Sequence, residues 1–148
     1  MQTIKYKNGF TLIELIVVIC IIGVLSAIIL FSVVQYINRG KDSNVIGHLS
    51  TLITSGEVYY NKGNSYEGFC QYAFDNVFPQ MPPGASPDCG ENTADSYQSW
   101  VACAKKFANS ANVWCVDSRG MEKEIVGGDC DTITGAGRCG NAGTCKCP

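Results

Sequence analysis

Residues 9–34, GFTLIELIVVICIIGVLSAIILFSVV, decide the reading of this chain. From Leu15 to Val34 no charge interrupts 20 positions rich in Ile, Val and Leu. A helix rises about 1.5 Å per residue, so the run spans about 30 Å, the thickness of a bilayer's hydrocarbon core. Lipid offers no partners for free backbone groups, which forces a helix despite the many β-branched residues. A buried core helix is the competing reading, but nothing else in the chain has the apolar surface to cover it. A cleaved secretory signal would fit the basic start, with Lys5 and Lys7. Against it, the run continues through Ile28, Ile29, Leu30 and Phe31, past its only small pair, Ser26–Ala27.

Glu14 is the oddity. A carboxylate at the edge of an apolar span costs free energy and is a functional suspect by default. The N-terminal end of the helix dipole favours an anion there. The remaining desolvation calls for a cation. Lys7 is one source, and an α-ammonium created by cutting the chain just before the run is a better one.

Gly9-Phe10-Thr11-Leu12-Ile13-Glu14-Leu15 resembles the processing site of type IV prepilins and of the pseudopilins of type II secretion. The resemblance covers about residues 1–37. It implies that a basic leader, residues 1–9, is removed between Gly9 and Phe10 by a prepilin peptidase on the cytoplasmic face. It implies also that Phe10 is N-methylated and that Glu14 guides assembly. One departure is visible: Phe31 stands where many such helices carry a kinking proline.

Outside this segment, composition narrows the choice. The 148 residues suffice for one domain's core. A net charge of −2 argues against a nucleic-acid binder working through a broadly basic surface. Of nine cysteines, one is Cys20, inside the span and most simply a small apolar residue. The other eight, Cys70, Cys89, Cys103, Cys115, Cys130, Cys139, Cys145 and Cys147, read as a disulfide framework. Lys5 and Lys7 before the span and Arg39 and Lys41 after it orient the chain only weakly. The cysteines break the tie and put residues 38–148 on the oxidising side.

Gln35, Asn38, Arg39 and Gly40 mark the exit from the apolar run, and Gly40 offers a bend point. Over residues 42–60, Val45, Leu49, Leu52, Ile53 and Tyr60 recur at helical spacing, predicting an amphipathic helix packed on a sheet. Asn61-Lys62-Gly63-Asn64 ends it. Residues 79–90, PQMPPGASPDCG, read as loop. Strands are expected at about 99–106 and 112–117, turned by Asn109-Ser110-Ala111. Trp114 to Gly120 resembles a strand-then-turn segment of some pilin-like heads. The tail, residues 127–148, is Gly- and Cys-rich, and is expected to be stapled rather than packed. Short loops favour Cys70–Cys89 and Cys103–Cys115, with Cys130, Cys139, Cys145 and Cys147 paired among themselves. Neighbouring Cys145 and Cys147 should go to different partners.

Other chemistry finds little support. The tail spacing Cys-x8-Cys-x5-Cys-x-Cys lacks the paired clamps of common zinc modules. Gly135 to Gly140 matches GxGxxG but follows no apolar strand and opens no helix, so these glycines read as turns. His48 is the only histidine and falls near the polar boundary of its helix. Asp129 and Asp131 flank Cys130, a pattern too sparse for a calcium loop. Lys105-Lys106 is too short for a nucleic-acid patch. No catalytic constellation emerges, and no cofactor or metal is expected.

The expectation is therefore an α+β, pilin-like fold, not an enzyme. Residues 10–37 form a transmembrane or filament-core helix, and 38–148 an extracytoplasmic, disulfide-rich head with a small antiparallel sheet. What the resemblance implies is a structural filament subunit of the inner membrane, then of a type IV pilus or pilus-like filament. Its partners would be identical or related subunits, the prepilin peptidase and the pilus or secretion assembly machinery. The alternatives are a type II secretion pseudopilin, a minor tip pilin whose head binds a surface, DNA or protein, and a Sec-secreted disulfide-rich protein.

Overall fold

The computed structural model describes residues 9–135, 139 and 145–148. The leader residues 1–8, with Lys5 and Lys7, and most of the GxGxxG stretch lie outside the described residues. Helix α1 runs from Leu12 to Gly63 and passes Gly40 without a break. Asn64 follows it in the left-handed region, at φ 52°, a conformation Asn tolerates. Chain contacts divide the molecule into two units, Met1–Ile37 and Asn38–Pro148.

Within the second unit, α2 (Phe69–Asn76) is followed by a 3-10 turn (Phe78–Gln80). Strands β1 (Asp88–Glu91), β2 (Trp100–Lys105), β3 (Val113–Asp117) and β4 (Glu122–Ile125) then form one antiparallel sheet in chain order. A short helix, α3 (Cys130–Thr134), comes last. The segment expected as loop thus yields the 3-10 turn at one end and part of an edge strand, Asp88–Gly90, at the other. Strand β4, EKEI, was not foreseen: it has one apolar residue of four, and charges suit an edge strand.

Both faces of this sheet are covered, as the nearly unbroken apolar run of β2, WVACA, requires. Side chains alternate across a strand. Trp100, Ala102, Ala104 and Val116 pack with Val45, Leu49 and Leu52 of α1 and with Phe69 and Ala73 of α2. Val101, Cys103, Val113 and Cys115 face a second cluster with Cys130, Ile133, Cys139, Cys145 and Cys147. The described residues of the tail are therefore packed as well as stapled. Gly90 leaves room for it, since a Cβ there would run into the Thr134 carbonyl oxygen. On the helical side, Gly56 makes room for Trp100, whose indole would sit 2.9 Å from an added Cβ.

The four bridges are Cys70–Cys89, Cys103–Cys130, Cys115–Cys147 and Cys139–Cys145. The expected Cys103–Cys115 bridge is not formed, and only one bridge stays within the tail. Cys103 and Cys115 oppose each other on β2 and β3, and both point to the face that the tail covers. Each is taken by a tail cysteine lying on that face.

Carboxylates that collect backbone N–H groups finish the frame. Asp117, fully buried, accepts hydrogen bonds from the N–H groups of Arg119 (3.0 Å), Met121 (3.3 Å) and Cys147 (3.1 Å). The Arg119 guanidinium completes the set at 2.6 Å. Asp42 of α1 accepts the N–H groups of Phe107 (2.5 Å) and Ala108 (3.3 Å). Glu91 of β1 accepts those of Gly68 (3.2 Å) and Cys70, at the start of α2. On the surface, the hydrogen bond from the Lys106 ammonium and that from Asn112 hold Glu124 below the usual carboxylate range. Burial, with the Glu57 carboxylate nearby, pushes the Tyr66 phenol up.

Candidate functional site

The sequence motif falls on the first turn of α1. Thr11 precedes the helix, and Glu14 lies in its first turn. The Glu14 N–H donates to Thr11 Oγ1 (3.3 Å), while the Thr11 N–H donates back to Glu14 Oε2 (2.8 Å). The Thr11 hydroxyl also donates to Oε2 (2.7 Å). This reciprocal pair is a capping box, satisfying two N–H groups that a helix start otherwise leaves free. The first-turn acid therefore finds donors within its own turn. Thr11 was missed, although Thr-x-x-Glu before an apolar run is the signature of this cap. Both bonds to the carboxylate end on Oε2, so Oε1 takes neither.

Gly9 and Phe10 stand ahead of the cap, both exposed, with nothing within 4 Å of a Cβ placed on Gly9. Phe10 is 76% exposed. Beyond the cap, the described large apolar side chains through Ile37 are all exposed. The helix is long and apolar enough to cross a membrane, and its most apolar stretch is wholly unburied. Ser26 and Ser32 return their hydroxyls to the carbonyls of Ile22 (2.7 Å) and Ile28 (3.3 Å), which suits an apolar surrounding. Cys20 is a free, exposed cysteine on this stretch. An apolar surface this long is far beyond what soluble monomers leave open.

The remaining candidates lie in the second unit. All eight head cysteines are bridged there, and His48 is half-buried on α1. Among the described residues, no three His, Cys, Asp or Glu side chains gather as a metal group.

Comparison with known proteins bears on the N-terminal segment. Residues 4–30 match the family model described as the prokaryotic N-terminal methylation motif. The chain is 36% identical over 63 residues to the type IV major pilin protein PilA of Myxococcus xanthus, covering 43% of this chain and 29% of that one. It is 38% identical over 62 residues to the type IV wide pilus major component PilA4 of Thermus thermophilus, covering 42% and 47%. It is 48% identical over 59 residues to fimbrial protein Q of Moraxella bovis, covering 40% and 38%. The matched part thus spans less than half the length of each of these relatives. No solved structure matches the chain. The N-terminal segment thus carries a prokaryotic methylation motif at the start of an exposed apolar helix and is similar there to type IV pilins.

Proposed function

We propose that the chain is a structural pilus subunit whose mechanism is assembly rather than catalysis. The leader, residues 1–9, stays in the cytoplasm until a prepilin peptidase cuts between Gly9 and Phe10. Phe10 is then N-methylated. Residues 10–37 hold the subunit in the inner membrane and later join other subunits in the filament core, with residues 38–148 as the outward head. The relatives are type IV pilus components and a fimbrial protein, which favours a pilus over a secretion pseudopilus.

The observation that carries this reading is the cap at the start of an uncovered apolar helix. Glu14 serves its own helix through Oε2. A carboxylate accepts several hydrogen bonds, so Oε1 is free for the α-ammonium of a neighbouring Phe10. At a pKa of about 7.7–8.0 that amine is mostly charged at neutral pH. A subunit seated at the wrong axial stagger leaves both charges buried and unpaired, at a cost of about 3–5 kcal/mol. The pair would thereby set register.

Mass spectrometry of the membrane-extracted protein tests the processing. A mature N-terminus at Phe10 carrying one methyl group is expected, and a start near Ala27 or Ile28 overturns the reading. Glu14→Gln then separates the cap from the charge, because the amide oxygen still accepts the Thr11 N–H. Normal insertion with loss from sheared filaments is expected. Incorporation equal to the parent would remove the assembly role of the carboxylate.

A further inference from the structure

The register of β2 and β3 puts Cys103 directly opposite Cys115, yet neither is bound to the other. The Lys106 N–H donates to the Asn112 carbonyl (3.0 Å), and the Ser118 N–H to the Trp100 carbonyl (3.0 Å). In an antiparallel pair such hydrogen-bonded positions alternate with non-hydrogen-bonded ones. The even-numbered residues of β2 are therefore the hydrogen-bonded ones, and Cys103 and Cys115 occupy a non-hydrogen-bonded position between two of them. Opposed Cα atoms there are about 4.5 Å apart, within the span a disulfide bridges. This pair is twelve residues apart in the chain, against 27 and 32 for the native bridges. Closure probability falls roughly as the three-halves power of loop length, so the hairpin bridge is favoured about three- to fourfold by length alone.

We propose that the hairpin first closes a non-native Cys103–Cys115 bridge, and that maturation of the head requires a partner presenting a free thiolate to exchange it. In the fully oxidised isomer Cys130 is bridged to Cys147. The partner's thiolate attacks Cys130 Sγ, the Cys130–Cys147 bond breaks, and Cys147 leaves as thiolate. Cys147 attacks Cys115 Sγ and expels Cys103 as thiolate. Cys103 attacks Cys130 Sγ in the mixed disulfide and releases the partner's thiolate. Two bridges are exchanged for two others with no net oxidation, and the thiol is regenerated. The exchange precedes docking of the tail. In the native head Cys103, Cys115, Cys130 and Cys147 are all at most 5% exposed, out of reach of an outside thiolate.

The test uses the full chain in detergent micelles, with Cys20→Ser so that the exposed thiol at that position supplies no thiolate. The reduced, denatured protein is reoxidised by diamide alone, by diamide followed by reduced glutathione, or by diamide followed by a reduced protein disulfide isomerase. Bridges are mapped by mass spectrometry of non-reduced peptides. Diamide alone should leave Cys103–Cys115 as the main linkage of these two cysteines. Added thiol should lower it at least tenfold in favour of Cys103–Cys130 and Cys115–Cys147. Comparison of the last two arms tells a small thiol from a protein one as the effective source. A second protein, Cys130→Ser with Cys147→Ser, should close Cys103–Cys115 in full, a covalent readout that does not depend on native folding. Native bridges formed equally well without thiol, or failure of the double variant to link Cys103 to Cys115, would overturn the proposal.

Discussion

Asp117→Ala perturbs the joint between sheet and tail. The side chain is fully buried and receives three backbone N–H groups and one guanidinium. The donors differ in what they lose. The Arg119 and Met121 N–H groups sit in an exposed turn, where water replaces the carboxylate. The Cys147 N–H belongs to a residue 5% exposed, and it loses its acceptor in a water-poor place. That orphan costs about 1–3 kcal/mol, and a hydrogen bond to a charged group is worth about 1.5–3 kcal/mol in its own right. The half-exposed Arg119 ion pair adds little. A total near 3 kcal/mol follows, or a fall in Tm of roughly 12 °C or more at about 4 °C per kcal/mol for a head of this size. The Cys115–Cys147 bridge still tethers the tail, so the loss is local as well as global, and amide exchange at Cys147 should quicken. Asp117→Asn keeps one acceptor oxygen but turns an amide donor towards N–H groups, and should fall between parent and Ala. The assay is thermal melting of the oxidised full chain in detergent, with hydrogen exchange at Cys147. An Ala variant melting within about 4 °C of the parent, with unchanged exchange, would refute the assigned role.

Three further outcomes are expected. Gly56→Ala gains about 1 kcal/mol of helix propensity, but its Cβ meets the indole of Trp100, which is 1% exposed and has no room to swing, so overpacking of about 1–3 kcal/mol wins and Tm falls; a Tm equal to or above the parent's would show that the indole moves freely. Gly9→Val should leave the precursor uncut in the membrane, because a peptidase acting beside a helix start needs a small, flexible residue; normal-sized mature protein on a gel would contradict this. Glu124 has a folded pKa lowered by the hydrogen bonds from Lys106 and Asn112, so its stabilisation is complete above the unfolded value of about 4.3 and is lost as pH falls through the folded one. With the group largely solvated the effect is below about 1 kcal/mol, and Glu124→Gln should remove a small acid-side decline in Tm that the parent shows; identical profiles would reject it.

How far the sequence could be read depended on the range of the interactions. The amphipathic stretch 42–60 was legible because Val45, Leu49 and Leu52 follow the helix period, and all three are fully buried. Strands β2 and β3 were legible from their aromatic and β-branched content. Strand β4 was not, because an edge strand is held by its neighbour's backbone and its own side chains are mostly charged. At the N-terminal site the Thr11 cap is local, since its partner is three residues away, and the Thr-x-x-Glu spacing carries it.

Taken alone, the sequence determined the apolar helix, the acid at its start and the likeness of that segment to pilins. Each of these is a local property: a run length compared with a bilayer, and a motif of consecutive residues. The tertiary structure decided which cysteines meet and what covers the second face of the sheet. Cys103 and Cys115 are only twelve residues apart, and the register even sets them opposite one another. Their native partners lie 27 and 32 residues away, on a tail that packs against the face both sulfurs point to. Pairing at that distance depends on the parity of the pleat and on where the tail docks. Neither is written in the spacing of the cysteines, because each is a property of the packed head as a whole.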